Sequence, residues 1–239
     1  MEKRALLYEG KAKRVYATND DSVVWIEYKD EATAFNGQKK AEISGKGVLN
    51  NAITSLLFAR LKEEGISSHF IEQISDREQL VKKVSIIPLE VVVRNVAAGT
   101  LASRIGYPEG KALKKPLVEF YYKDDELGDP LITDAHIEEL QIAGLDDVRL
   151  LEQKALKVNA VLSSFFADMN IRLIDFKLEF GTTAEGEILL ADEISPDTCR
   201  LWDATTYEKL DKDVFRRDLG SLTDTYKKLL SRLGGQQHV

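Results

Sequence analysis

Cysteine is almost absent from this 239-residue chain: Cys199 stands alone, so no internal disulfide can form. A single thiol fits a reducing compartment, and a cytoplasmic location is expected. Histidine is scarce too. His69, His136 and His238 are scattered, with no HExxH pattern and no paired-cysteine zinc spacing. No apolar run approaches the length of a membrane span, so no membrane partner is expected. The opening MEKRALLYEG has no apolar h-region, and no signal peptide is expected there. A basic excess is also missing. The net charge of −7 argues against a nucleic-acid partner but leaves room for a local basic pocket. What remains is 44% hydrophobic and 31% charged, enough apolar material for a sizeable core.

The first third reads as strands around one helix. Ala5–Glu9 and Arg14–Thr18 flank a GKAK turn, and the β-branched, aromatic Ser22–Tyr28 is a third strand. Over 44–64 the period becomes helical, with Gly65 as the stop and Ser44 as the expected cap. Strands are expected at His69–Ile74, Gln79–Ile86 and Leu89–Val96. GTLASRIGYPEG suggests a short helix and a turn, LVEFYYKDD a strand, and 147–169 the clearest helix. Val148, Leu151, Ala155, Val158, Leu162, Phe165 and Met169 form its apolar face. Strands Ile171–Phe180 and Glu187–Ile194 make a hairpin. One amphipathic helix is expected over 213–233, with Leu219 on its stripe, followed by a loose tail. The order points to an α+β fold in two lobes, an antiparallel-sheet N-terminal lobe over 1–85 and a mixed α/β C-terminal lobe over 86–239. The cleft between such lobes is where a ligand site is expected.

Within the hairpin, DFKLEFG alternates Asp175, Lys177 and Glu179 with Phe176, Leu178 and Phe180. In a strand this puts acid, base, acid on one face and only apolar groups on the other. Asp192 and Glu193 end the partner strand. One of them should share a face with Glu179, and Asp192, which opens the DEISPD loop, is preferred. Carboxylates at adjacent strand ends suit Mg²⁺, which takes one or two of them together with substrate phosphates. A ladder of surface salt bridges would share this pattern, each exposed pair contributing about 0–1 kcal/mol.

Other stretches carry anion chemistry. Gly10, Lys11 and Lys13 in EGKAKRVY could approach phosphate, although no Walker A loop occurs. In LEVVVRNVAAGTLASR, Arg94 and the helix start at Gly99 and Thr100 suit a monophosphate. Arg200 adds a second guanidinium, and Cys199 reads as a small buried thiol.

YEGKAKRVY, the SGKG and LNN pieces of 44–51, EVVVRNVAAGTL, DFKLEFG and ADEISPDTCRLWD occur in an order and spacing that resemble the SAICAR synthetase (phosphoribosylaminoimidazole-succinocarboxamide synthase) family from Leu6 to Gly235. The resemblance implies an enzyme of de novo purine biosynthesis. It would use ATP and Mg²⁺ to join L-aspartate to the carboxylate of CAIR (carboxyaminoimidazole ribonucleotide), and it would be a homodimer. It further implies that Lys11 and Lys13 contact ATP phosphates, and that Val81, Lys82 and Lys83 border the adenine. Glu179 and Asp192 would hold Mg²⁺, with Asp129 on a second ion, while Arg94, Thr100 and Arg200 clasp the CAIR phosphate. Asp129, Asp175 and Lys177 would lie near the imidazole carboxylate. Asn36 stands where some members carry aspartate and receives no role. A small-molecule kinase and an ATP-binding regulatory protein are the alternatives.

Overall fold

The computed structural model describes residues 1–34 and 37–234; Asn36 and nearly all of the C-terminal tail lie outside them. The chain opens as a meander of β1 (Lys3–Glu9), β2 (Lys13–Thr18) and β3 (Val23–Tyr28), paired antiparallel. A separate ribbon of β4 (Glu31–Ala34) and β5 (Lys39–Glu42) follows, then α1 (Lys46–Glu63). β6 (Phe70–Gln73) and β7 (Glu78–Lys82) complete a five-stranded sheet in the order β1-β2-β3-β7-β6.

A second sheet starts at β8 (Ser85–Val96). After α2 (Gly99–Ile105) come β9 (Ala112–Tyr122), β10 (Leu131–Ile132), α3 (Asp134–Glu139) and α4 (Leu145–Ala167). Then follow β11 (Ile171–Thr182), β12 (Ile188–Ala191), β13 (Cys199–Asp203), α5 (Asp213–Arg216) and α6 (Leu222–Arg232). The strand order is β10-β9-β8-β11-β12, with β13 also pairing β11, and every strand pair in it is antiparallel. Helices and antiparallel sheets together make this an α+β fold, as expected. No helix among the described residues is long and apolar enough to cross a membrane.

The largest core lies between the second sheet and α1, α4 and α6. It joins Ile53, Leu57 and Phe58 to Leu151, Val158, Leu162, Phe176, Leu178, Phe180, Tyr226 and Leu229. The first sheet keeps a smaller cluster of Val24, Ile26, Tyr28 and Val81.

Several expectations change. The expected strands Gln79–Ile86 and Leu89–Val96 divide elsewhere: β7 stops at Lys82 and β8 runs unbroken through Pro88. Lys83 and Val84 carry the chain from one sheet to the other. Pro88, which has no N–H to donate, falls where the β8–β11 register slips between the Glu179–Glu90 and Gly181–Ile86 pairs. The helix expected over 213–233 breaks into α5 and α6. Asp218 at φ 54° and Gly220 at φ 152° turn the chain, and the Ser221 hydroxyl caps α6 by accepting the Asp224 N–H at 3.2 Å. Leu219 is therefore exposed rather than on the apolar stripe. Ser44 does not cap α1. Gly45 is the cap residue, and Asp30 accepts the N–H groups of Gly45 (3.3 Å) and Gly47 (2.9 Å) instead. In α4, Phe166 rather than Phe165 takes the fully buried position, and Met169 lies beyond the helix end. The β4–β5 ribbon, α3 and β13 were not expected.

Candidate active site

β11 is the central strand of the second sheet, and its alternation is realised. Phe176, Leu178 and Phe180 are each 1% exposed in the core. Asp175, Lys177 and Glu179 point the other way, and neighbouring strands supply a partner for each. Register sets Asp175 beside Arg94 of β8 and beside Arg200 of β13. Arg94 Nη1 donates to Asp175 at 2.9 Å, its Nε to Glu119 at 2.7 Å and its Nη2 to the Tyr121 hydroxyl at 3.0 Å. Arg200 Nη1 donates to both oxygens of Asp175 at 2.9 and 3.1 Å, while its Nε reaches Asp213 at 3.2 Å. Asp175 thus sits between two guanidiniums. Burial disfavours the charge of Arg94, but Asp175 and Glu119 outweigh it and raise its pKa.

Lys177 Nζ bridges Glu90 (2.7 Å) and Glu179 (2.8 Å), and Lys123 adds a contact to Glu179 at 3.0 Å. Burial would push Lys177 down. Glu179, Glu90 and Asp192 overcome it and hold the ammonium well above its ordinary value, so it stays charged. These are buried or half-buried pairs with shared partners, unlike an exposed ladder.

β12 ends at Ala191, opposite Glu179. Strict alternation would then bring Glu193, not Asp192, to the face of Glu179. The strand does not continue, because Asp192 has φ 57°, a left-handed conformation that is costly for a non-glycine residue. Lys13 of β2 contacts both acids, Asp192 at short range and Glu193 at 3.1 Å. Burial would raise the Asp192 carboxyl, but Lys13, Lys177 and Lys123 hold it well below the usual carboxylate range.

A cleft of about 460 Å³ opens over this surface. It brings together Lys11, Arg94, Thr100, Asp129, Asp175, Lys177 and Arg200 from the sequence-derived set. An adjoining hollow of about 570 Å³ shares Lys11, Thr33, Gly37 and Asp129 with it. Lys13, Glu179 and Asp192 do not line the cleft, but Glu179 pairs with Lys177 and Asp192 lies within the field of that lysine. Asp129, at φ 51°, accepts the Asp124 N–H at 3.0 Å, and exposed Lys11 pairs with Asp125 at 2.7 Å. Val81, Lys82 and Lys83 stand apart. The N–H of Lys82 donates to the His69 carbonyl and that of Lys83 to the Ser22 carbonyl, each at 2.7 Å. A purine ring there would have to be met by other groups of the segment. Cys199 is buried and its thiol is pushed up by burial, so it is no nucleophile at neutral pH.

Gly99 opens α2 directly beneath Arg200. Its φ is 52°, and a Cβ there would lie 2.6 Å from Arg200 Nη2. Gly99→Ala is therefore expected to strain the backbone and displace the guanidinium. If Arg200 meets the substrate phosphate, as the family resemblance implies, the measurable result is a higher KM for that substrate with kcat little changed.

No group of three or more His, Cys, Asp or Glu side chains set to hold a metal ion occurs among the described residues. Magnesium seated on phosphate oxygens needs only one or two carboxylates. Asp192, Glu179 and Glu193 offer hard oxygens, and Oε2 of Glu193 is buried without a hydrogen-bond partner. The donor chemistry fits Mg²⁺.

Sequence reading missed several members. Glu119, Tyr121 and Lys123 occupy alternate positions of β9 and its continuation, a polar alternation comparable to that of β11. Lys46, read only as part of a helix start, is buried and pairs with Asp197 at 2.6 Å. No local pattern marks His69, whose ring lies beside the Asp192 carbonyl.

Buried, paired acids and bases around an open basic cleft define an α+β enzyme for anionic substrates. The family described as SAICAR synthetase matches residues 6–233, and the chain belongs to that family. It is 67% identical to the phosphoribosylaminoimidazole-succinocarboxamide synthase of Anoxybacillus flavithermus over 98% of each chain. Among solved structures it is similar to the enzyme of the same name from Ehrlichia chaffeensis, with a TM-score of 0.95 and 45% identity, covering 98% of this chain and 100% of that one. A SAICAR synthetase in complex with ADP superposes with a TM-score of 0.93 at 50% identity, covering 97% and 99%.

Proposed function

We propose that this chain joins L-aspartate to the carboxylate of CAIR, consuming ATP and releasing SAICAR, ADP and phosphate, in de novo purine (IMP) biosynthesis. One observation carries the reading: a family member whose cleft is lined by Asp175 and Lys177 of β11, flanked by Arg94 and Arg200, with Glu179 behind Lys177 on the same strand face. A carboxylate is a poor electrophile, since its charge repels nucleophiles and oxide leaves badly. Transfer of the ATP γ-phosphoryl group to a carboxylate oxygen releases ADP and gives an acyl phosphate. The aspartate amine then attacks the acyl carbon, loses a proton, and expels phosphate as the amide C–N bond forms. Both steps depend on positioning and charge neutralisation more than on covalent help from the protein.

The residues divide accordingly. Lys11 and Lys13 meet the ATP phosphates, and Val81, Lys82 and Lys83 border the adenine. Glu179 and Asp192 would hold the nucleotide's Mg²⁺, with Asp129 beside a second ion; the metal supplies charge neutralisation on the phosphates. Arg94, Thr100 and Arg200 clasp the CAIR phosphate. Asp175, Lys177 and Asp129 face the imidazole carboxylate. Residues 1–85 form the nucleotide-phosphate lobe and 86–239 the lobe with the metal and CAIR sites. The reading includes a cytoplasmic homodimer, supported by the family resemblance and by the single buried thiol.

The test is ADP release with ATP, Mg²⁺, CAIR and L-aspartate, each omitted in turn. Turnover should require the full set and yield a product of SAICAR mass. A stable phosphorylated product formed without aspartate would instead make the chain a small-molecule kinase. Nucleotide binding without turnover would make it a regulatory binder.

A further inference from the structure

We propose that His69 is a positioning residue that holds Asp192 in its magnesium-binding conformation and ties it to β7, the strand that leads to the adenine segment. The inference rests on the reading of Asp192 as a magnesium ligand.

His69 lies in the link between α1 and β6 and is 3% exposed. It is bonded in three directions. Its backbone N–H donates to the Leu190 carbonyl at 2.8 Å, and its carbonyl accepts the Lys82 N–H at 2.7 Å. Its ring Nε2 sits 3.1 Å from the Asp192 carbonyl oxygen. The ring is packed edge-to-face against Phe58, with centroids 5.6 Å apart. One residue thus links the strand before the metal-site acid, that acid itself, and the end of the strand bordering the nucleotide.

The chemistry of the contact fixes the tautomer. A carbonyl oxygen only accepts, so Nε2 must carry a hydrogen. The 3.1 Å contact therefore makes His69 the donor to the Asp192 carbonyl.

Asp192 needs such a donor. Its φ of 57° is disfavoured for aspartate, and such a backbone persists only where its surroundings over-determine it. Lys13 holds the side chain, and His69 holds the carbonyl. Without the Nε2–H, the peptide can rotate toward an ordinary conformation and turn the carboxylate away from Lys13 and Lys177. Groups that orient a metal ligand from behind typically change metal affinity by about 10–100-fold.

Two variants separate this role from packing. His69→Phe keeps the ring against Phe58 and removes the donor. His69→Gln places an amide N–H close to the position of Nε2. The readout is calorimetric ADP binding with and without Mg²⁺, taken as the factor by which Mg²⁺ tightens ADP, and it involves no turnover. CAIR affinity and melting temperature are measured alongside, with Asp192→Asn as reference. His69→Phe should reduce the magnesium factor by about 10-fold, His69→Gln should restore most of it, and CAIR affinity should be unchanged in both. A wild-type magnesium factor in His69→Phe, with Asp192→Asn impaired, would overturn the inference alone. Wild-type factors in both His69→Phe and Asp192→Asn would overturn the reading of Asp192 together with it. Equal losses of magnesium factor, CAIR affinity and melting temperature in the Phe and Gln variants would assign His69 to packing and overturn the inference.

Discussion

Asp192→Asn is expected to lower kcat/KM by about 10²-fold or more, through weakened use of Mg²⁺–ATP and without loss of the fold. Lysines 13, 177 and 123 hold the Asp192 carboxyl well below the usual range, so it is ionised throughout the neutral range. Its negative charge is what the substitution removes. The substitution spares the rest. Asparagine has nearly the same shape and tolerates left-handed backbone better than most residues, so φ 57° remains accessible. Lys13 keeps Glu193 at 3.1 Å, so no buried ammonium is stranded. Steady-state kinetics at varied Mg²⁺ should show most of the loss relieved at high metal concentration, with the KM for CAIR unmoved. Normal kinetics would remove Asp192 from the metal site.

Arg94→Ala should be the most damaging substitution for the molecule as a whole. Arg94 is 4% exposed, and its guanidinium neutralises Glu119 and Asp175 together. Removing one partner of a buried ion pair leaves an uncompensated charge and costs about 3–5 kcal/mol. For a chain of this size that is roughly 10 °C or more in melting temperature. Partial compensation is built in, because Arg200 also contacts Asp175 and Arg104 contacts Glu119 at short range. The variant that does fold should bind CAIR weakly and ADP normally. Arg94→Lys returns the charge but not the three-way fork, so stability should recover further than CAIR affinity does. If ADP affinity fell while CAIR affinity held, the proposed division of the pocket would be wrong.

Legibility in the sequence followed the range of the interactions. The alternation on β11 and the apolar face of α4 are local periodicities; the first appears where expected, and the second does from Val148 to Leu162 before Phe166 replaces Phe165. The helix expected over 213–233 failed because Gly220 and Ser221 punctuate it, a stop and a cap hidden inside a continuous apolar stripe. The misplaced break between β7 and β8 arose because Pro88 looks like a terminator, whereas the real crossing at Lys83 and Val84 has no turn chemistry. For the site, the charged face was readable but its partners were not. Glu90, Glu119 and Arg94 come to β11 only through sheet register, which no single segment encodes. Strict alternation would have chosen Glu193 over Asp192; the left-handed Asp192 allows both to meet Lys13. His69 is 123 positions from Asp192, and its role follows only from the fold.

If the cleft lined by Asp175 and Lys177 activates a carboxylate by phosphorylating it, as proposed, a carboxylate oxygen must leave with the phosphate. The most direct measurement is turnover of CAIR labelled with ¹⁸O in its carboxylate, with the released phosphate analysed by mass spectrometry. One labelled oxygen should pass to phosphate for each SAICAR formed. Phosphate carrying no label, with SAICAR formed at the normal rate, would contradict the proposed activation.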